Sequence, residues 1–117
     1  MRVDLNPVVG SEASKVRPAV IVSNDGANRA VERFGRGVIT VAPITSNVIK
    51  VYPFQILLAQ DQTGTGLALE SKVQVEQIRA VDAGRIGRRL GRLPLALHEP
   101  LREALVVHLG LRSGRQS

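Results

Sequence analysis

Two polar clusters interrupt apolar runs in a way that turn formation alone does not require. The first is Gly10-Ser11-Glu12-Ala13-Ser14-Lys15-Val16-Arg17-Pro18, and the second is Ala42-Pro43-Ile44-Thr45-Ser46. Pro18 biases Arg17 to an extended conformation, which fixes a guanidinium at the mouth of a buried strand. Thr45 and Ser46 place two hydroxyls where another strand leaves its sheet. If these ends lie side by side, an arginine fork and a threonine hydroxyl converge on one spot. Both donate hydrogen bonds and neither brings negative charge, which suits a phosphate group. Singly, each cluster has a plainer explanation: arginine before proline is often a surface residue, and Thr-Ser after a strand is often a turn.

Other chemistries fall away by residue type and spacing. The two histidines, His98 and His108, are ten apart in one helical segment. They would lie about 80° apart around a helix and roughly 15 Å along it, which disfavours a histidine acid/base pair or a Ser–His–Asp relay. The ten acidic residues are scattered singly, whereas a two-metal nuclease wants several convergent acids. No metal site and no cofactor is therefore expected. Gly35-Arg36-Gly37 and Gly64-Thr65-Gly66 are turn signals with no Lys-Ser/Thr after them, so neither forms a phosphate loop. The chain has no cysteine, which excludes disulfides and thiolate metal sites.

Charge points to the partner. The chain carries 16 basic and 10 acidic residues, a formal net charge of +6, and most of the basic residues are arginine. Guanidinium forks match phosphate geometry in a way ammonium groups do not, so a polyanion is the favoured ligand. Aromatic residues are scarce, with one Tyr, two Phe and no Trp. Tyr52, Phe34 and Phe54 look too few for an aromatic stacking platform. No apolar run is long enough to span a bilayer and Met1-Arg2-Val3-Asp4 does not open a signal peptide, so a cytoplasmic protein is expected.

The elements that must position these groups are short. At 117 residues the chain reads as one domain over 1–111, with a frayed tail at 112–117. Val3–Leu5 reads as a strand stump ended by Asn6-Pro7, and Pro18–Val22 as a buried strand. A short helix is expected within Asp25–Arg33. Gly37–Ile44 is the best central strand, with Pro43 forcing its end toward an edge or bulge. Pro53–Leu58 and Lys72–Ile78 read as further strands; in the latter Val73, Val75 and Gln77 alternate with Gln74, Glu76 and Ile78. Asp82 is placed to cap a helical turn. Leu97, Leu101, Leu105 and Leu109 recur every four residues, a helical stripe facing a sheet, with a kink or a start near Glu99 imposed by Pro100. The expected fold is α+β but mainly β: a small antiparallel barrel with a C-terminal helix packed on it.

Taken together and in order, Val3-Asp4-Leu5-Asn6-Pro7, Gly10-Ser11-Glu12, Arg17-Pro18-Ala19-Val20-Ile21-Val22-Ser23-Asn24-Asp25, Ala42-Pro43-Ile44-Thr45-Ser46 and Glu76-Gln77-Ile78-Arg79 resemble the MazF/PemK family of bacterial toxins. The resemblance runs from Val3 to about Leu111. It implies an SH3-like barrel that dimerises through a face including the C-terminal helix. It also implies the toxin of a toxin–antitoxin pair, an mRNA interferase that cuts single-stranded RNA without metal. Cleavage would use the RNA's own 2′-hydroxyl and leave a 2′,3′-cyclic phosphate and a 5′-hydroxyl. By motif position Arg17 is similar to the family's catalytic arginine and Thr45 to its threonine. Ser11, Glu12, Lys15, Ser46, Glu76, Gln77 and Arg79 fall at RNA-contacting positions. An antitoxin with an acidic, poorly structured tail would suit the basic groove.

Physical chemistry constrains those roles. A pentacoordinate phosphorane carries extra negative charge that positioned donors stabilise selectively. A guanidinium holds its proton and so makes a poor ground-state base; Glu12 has the residue type for one. Family members begin with an additional basic-Gly-acidic-aromatic segment, so the first strand here is expected to be short and its barrel edge open. Two other readings compete: a toxin of the same fold that binds DNA gyrase, and a non-catalytic RNA-binding module. The first wants a hydrophobic or Trp-bearing helix end, whereas this chain ends Arg112-Ser113-Gly114-Arg115-Gln116-Ser117. The bases read at the cut site follow no rule that residue types supply.

Overall fold

Prolines and β-branched residues, rather than long regular strands, organise this sheet. The structure, a computed structural model, describes residues 4–9, 16–22, 29, 33–34, 37–59 and 64–111. Ser11, Glu12, Lys15 and the tail 112–117 lie outside the described residues. Seven strands follow one another: β1 (Asp4–Val9), β2 (Val16–Ile21), β3 (Val38–Thr45), β4 (Ile56–Leu58), β5 (Ser71–Val73), β6 (Arg79–Asp82) and β7 (Gly91–Arg92). Their order is β4-β5-β3-β2-β1-β7, with β6 also paired to β3, and every pairing is antiparallel. A single C-terminal helix, His98–Leu109, follows the last strand. The expected fold class holds.

β3 is the central strand, as its apolar run Val-Ile-Thr-Val-Ala-Pro-Ile predicts, and it is buried on both faces. Ala42 and Ile44 join Val20, Leu58, Val73 and Val75 in the larger core. Ile39 and Val41 join Ala19, Ile21 and Val81 on the opposite face. Strand geometry accounts for the split, because successive side chains point to opposite sides.

Two sequence readings are corrected. β1 does not stop at Asn6-Pro7 but runs on to Val9, with Pro7 directly opposite Pro18. Nor is this strand an open edge: Asp4 and Leu5 pair with Arg92 and Gly91 of β7 while β2 pairs along the other side. The second correction concerns 72–78, which is not one strand. Ile44 faces Val73 and Val41 faces Arg79, so residues 74–78 lie opposite only Ala42 and Pro43. A 3-10 turn, Val75–Gln77, absorbs the surplus. Pro43 is where the ladder breaks: its carbonyl accepts the Gln74 N–H at 2.8 Å, while proline itself has no N–H to offer. The turn buries both Val73 and Val75, which simple alternation also predicts, and so the pattern concealed it.

The sheet closes on itself through a loop. After β4 the chain returns through Gly64–Gly66, where the Gly64 carbonyl accepts the Arg92 N–H of β7 at 2.7 Å. Two glycines make this approach feasible. A Cβ on Gly91 would run into the Gly64 and Thr65 carbonyls, and one on Gly66, at φ +73°, would meet the Leu90 carbonyl. Here the sequence reading of Gly64-Thr65-Gly66 as a turn acquires a purpose: it seals the barrel.

At the end of β6 the Asp82 carboxylate accepts the Gly84 N–H at 2.9 Å and caps a 3-10 turn, Ala83–Arg85, as anticipated. Arg29, Arg33 and Phe34 are helical, and the rest of the expected Asp25–Arg33 helix lies outside the described residues. Pro100 marks a helix start as expected, at His98 next to Glu99, although proline stands third in the helix rather than first. It occupies the first turn, where backbone N–H groups have no intrahelical acceptor in any case, after a 3-10 turn at Leu95–Leu97. Leu101, 1% exposed, and Ala104 plug the larger core; burying one leucine stabilises by about 2 kcal/mol. The leucine stripe fades along its length, with Leu97 and Leu105 half-buried and Leu109 50% exposed.

Candidate active site

β2 and β3 bring the two polar clusters together. Their last ladder pair in this direction is Ala19 with Pro43. Continuing that register by two residues sets Arg17, at the start of β2, opposite Thr45, at the end of β3. Both line an open cleft of about 290 Å³, together with Ser46, Pro18, Ile44, Ser71 and the segment Leu67–Leu69. Ile44 and Leu67 belong to or pack on the larger core, so the floor of the cleft is anchored in it. Among the described residues no carboxylate and no aromatic ring lines the cleft. Three hydroxyls and a guanidinium are its chemistry; Ser71 donates its hydroxyl to the Leu69 carbonyl at 2.9 Å, which leaves Arg17, Thr45 and Ser46 as donors for phosphate oxygens.

Thr45 is half-buried and its Oγ1 accepts the Asn47 N–H at 3.2 Å. That bond spends one lone pair and leaves the hydroxyl hydrogen free to donate outward. It also fixes where the oxygen sits, and pre-placed donors of this kind stabilise developing charge best. Arg17 is exposed, so its fork faces solvent at the rim, where a polyanion arrives.

The Glu76–Arg79 segment is placed elsewhere. Gln77 and Arg79 are exposed, and neither lines the cleft. Glu76 turns inward: its Oε2 accepts from the Gln55 side chain at 2.9 Å, while Oε1 is buried without a partner. Neither histidine enters the cleft. His98 Nε2–H donates to the Leu93 carbonyl at 3.1 Å, and His108 is exposed near the helix end.

Sequence reasoning missed a second polar assembly beside the first. Tyr52-Pro53-Phe54-Gln55 is a β-turn, closed by the Gln55 N–H donating to the Tyr52 carbonyl at 2.9 Å, with Pro at its second position. The Gln55 Oε1 in turn accepts the Tyr52 N–H at 3.0 Å. Lys72, only 8% exposed, donates through Nζ to the Lys50 carbonyl at 2.6 Å. Lys72 is also the β5 residue that faces Thr45 across the ladder. The turn brings the Tyr52 and Phe54 rings parallel, centroids 5.3 Å apart and 3° between planes. Two of the chain's three aromatic rings thus form a stack, despite their scarcity. Proline after an aromatic was the available signal, but it reads equally as a strand start.

A family model described as PemK-like, MazF-like toxin of type II toxin-antitoxin system matches residues 1–109. The chain is 54% identical over 112 residues to the endoribonuclease MazF9 of Mycobacterium tuberculosis, covering 96% of this chain and 93% of that protein. It is 35% identical over 109 residues to the endoribonuclease EndoA of Bacillus subtilis, covering 92% and 88%. Among solved structures, an endoribonuclease in complex with its cognate antitoxin from a mycobacterial species superposes with a TM-score of 0.74. That match has 19% identity and covers 93% of each chain, which speaks to fold alone. On the family model and these relatives, the chain belongs to the PemK-like, MazF-like toxins of type II toxin–antitoxin systems.

Proposed function

We propose that this chain is the toxin of a type II toxin–antitoxin pair, an endoribonuclease that cuts single-stranded RNA in the Arg17–Thr45 cleft. The observation that carries the reading is the convergence of a guanidinium and pre-placed hydroxyls on one open cleft. Relatives named as endoribonucleases support the reaction class. In the mechanism, the substrate's 2′-hydroxyl attacks the adjacent phosphorus, a pentacoordinate phosphorane forms, and the bond to the 5′-oxygen breaks. Thr45 donates to a non-bridging oxygen as charge builds there. Arg17 clamps the phosphate and supplies a proton to the leaving 5′-oxygen. Ser46 lines the same cleft as a further donor. Glu12, Ser11 and Lys15 precede β2 and complete the RNA-contacting set, with Glu12 a candidate base; Glu76, Gln77 and Arg79 extend that set beyond the cleft.

Metal takes no part in this scheme. Its nucleophile comes from the RNA and its donors from Arg17 and Thr45. Cleavage is expected to persist in excess EDTA and to leave 5′-hydroxyl ends, read by whether a kinase labels the fragments without prior phosphatase treatment. Loss of all activity on chelation, or 5′-phosphate ends, would sink the mechanism.

The partners follow from the surface. Exposed Val107, Leu109 and Leu111 at the helix end support pairing of two copies through this region, since large apolar groups gain by leaving water. A solved relative pairs an endoribonuclease with its cognate antitoxin, and an acidic antitoxin segment suits a chain of net charge +6. Sedimentation of the free chain is expected to give about twice 12.6 kDa, and Leu109→Glu to shift it toward the monomer. An active monomer at micromolar concentration would rule pairing out as a requirement. No helix among the described residues is long and apolar enough to cross a membrane, in keeping with a cytoplasmic site of action.

A further inference from the structure

A run of positive charge lies away from the cleft. Between Ala83 and His98 stand four arginines, Arg85, Arg88, Arg89 and Arg92, and no acidic residue, in a chain whose whole net charge is +6. They fall in two tandem tetrads, Arg-Ile-Gly-Arg and Arg-Leu-Gly-Arg. All four arginines are exposed, whereas Ile86 and Leu90 are half-buried. Ile86 packs on the smaller core and Leu90 on the larger. One apolar residue in each tetrad thus pins the backbone to the barrel, and the arginines around it stay at the surface.

Backbone hydrogen bonds hold both ends of this run. The Ala83 N–H donates to the Gly37 carbonyl at 2.8 Å and the Ile86 N–H to the Ala83 carbonyl at 3.0 Å, so Arg85 leaves a capped turn rather than a free loop. At the other end Gly91 and Arg92 pair with β1, and the Arg92 N–H donates to the Gly64 carbonyl. Neighbouring acids do little to neutralise the run. The Asp82 carboxylate accepts the Gly84 N–H and Glu99 is bonded to Arg102. Among the described residues no ion pair takes Arg85 or Arg88. The run is also remote from the chemistry. Val38, at the start of β3, pairs with Asp82 just before it, while Thr45, at the end of the same strand, lines the cleft. A strand of that length spans roughly 20 Å.

We propose that the arginine stripe Arg85–Arg92 is a second RNA-binding surface: it takes the sugar-phosphate backbone of paired RNA and holds the enzyme on a folded transcript while an unpaired segment reaches the cleft. The proposal rests on the RNA-cutting reading for the identity of the polyanion. Residue types favour a duplex. Unpaired nucleotides are gripped on aromatic faces, and no aromatic residue follows Phe54 in the chain. Paired RNA is recognised through its phosphates and riboses, and guanidinium forks held in fixed places suit phosphate geometry. An acidic peptide would match the charge as well. Protein interfaces, however, draw their energy from apolar and aromatic anchors in pockets, and the apolar side chains of this stripe are engaged with the barrel.

The probe is a blunt RNA duplex of about 16 base pairs, followed by anisotropy of an end label. Arg85→Ser combined with Arg88→Ser should weaken its binding roughly ten-fold or more and lower the slope of log affinity against log salt by about 2. Both residues are exposed, so the fold is expected to survive the change. Arg102→Ser removes an exposed cation from the C-terminal helix and should leave duplex affinity near wild type. The double variant should cut a short unpaired RNA at the wild-type rate. On a longer RNA with the same cut site beside a hairpin, its KM should rise and its kcat stay unchanged. Unchanged duplex affinity in the double variant overturns the stripe. An equal loss in Arg102→Ser overturns it too, as an effect of net charge alone, and so does a KM that rises alike for both substrates. Polyglutamate binding that the double variant loses, with duplex affinity intact, would give the surface to an acidic protein partner instead. Duplex binding that needs Arg85 and Arg88 in a chain that cuts no RNA would keep the stripe and remove the enzymatic reading. Ordinary cutting without duplex binding would do the reverse.

Discussion

Replacing Arg17 with alanine is expected to lower RNA cleavage by several orders of magnitude while leaving the fold in place. The residue is exposed at the start of β2, so the substitution opens no cavity and removes no core contact. What it removes is a two-pronged donor at the rim of a cleft with no other cation among the described residues of its lining. Arg17→Lys should recover little, because a point charge on a flexible stem does not reproduce a planar fork. Thr45→Ala should cost about 10²-fold, the scale of losing one pre-placed donor to a developing oxyanion. Thr45→Ser should keep much of the activity, since the hydroxyl that accepts from Asn47 remains. Single-turnover rates at saturating RNA measure all four variants. Wild-type rates in both alanine variants would move the active site away from this cleft.

Cleavage is expected to disappear when the ribose at the cut site is replaced by deoxyribose. With the nucleophile supplied by the substrate, the attacking group goes with it, and among the described residues of the lining there is no carboxylate or histidine to activate another hydroxyl. The modified strand should still bind and should compete with uncut RNA, which separates loss of chemistry from loss of recognition. Closing the same site into a duplex should also suppress cutting, for a different reason, since paired bases cannot splay into a groove. Gel analysis of a mapped cut site distinguishes the cases. Cutting of the deoxyribose strand at the ordinary rate would require a nucleophile other than the 2′-hydroxyl.

Legibility in the sequence followed the locality of the cause. Arg17 and Thr45 could be picked out because each ends an apolar run, and proline punctuates both segments. The Asp82 cap is a local signature, as is a helix start near Pro100. Contacts made at a distance left little trace. β7 is only Gly91–Arg92, a pair with no strand propensity, and it exists because β1 and the Gly64 carbonyl claim its backbone. Asn6-Pro7 reads locally as a stop, yet Pro7 faces Pro18 inside a continuous ladder. The 3-10 turn at Val75–Gln77 shares the apolar spacing of a strand, so only its pairing partners reveal it. Lys72, Gln55 and Glu76 look like surface residues by type, and their partners lie 21 or 22 residues away along the chain.

One consequence of the C-terminal helix concerns time rather than space. Arg17 and Thr45 are made early, but the core beneath their cleft is finished only when Leu101 and Ala104 seat against Val20, Ala42 and Ile44. Those two residues are made after every described strand of the sheet. A nascent chain that has already exposed its guanidinium and hydroxyls therefore still lacks the plug that holds β2 and β3 in place, and domains generally fold as units. This order of synthesis keeps the cleft unfinished until the helix that follows β7 has been made.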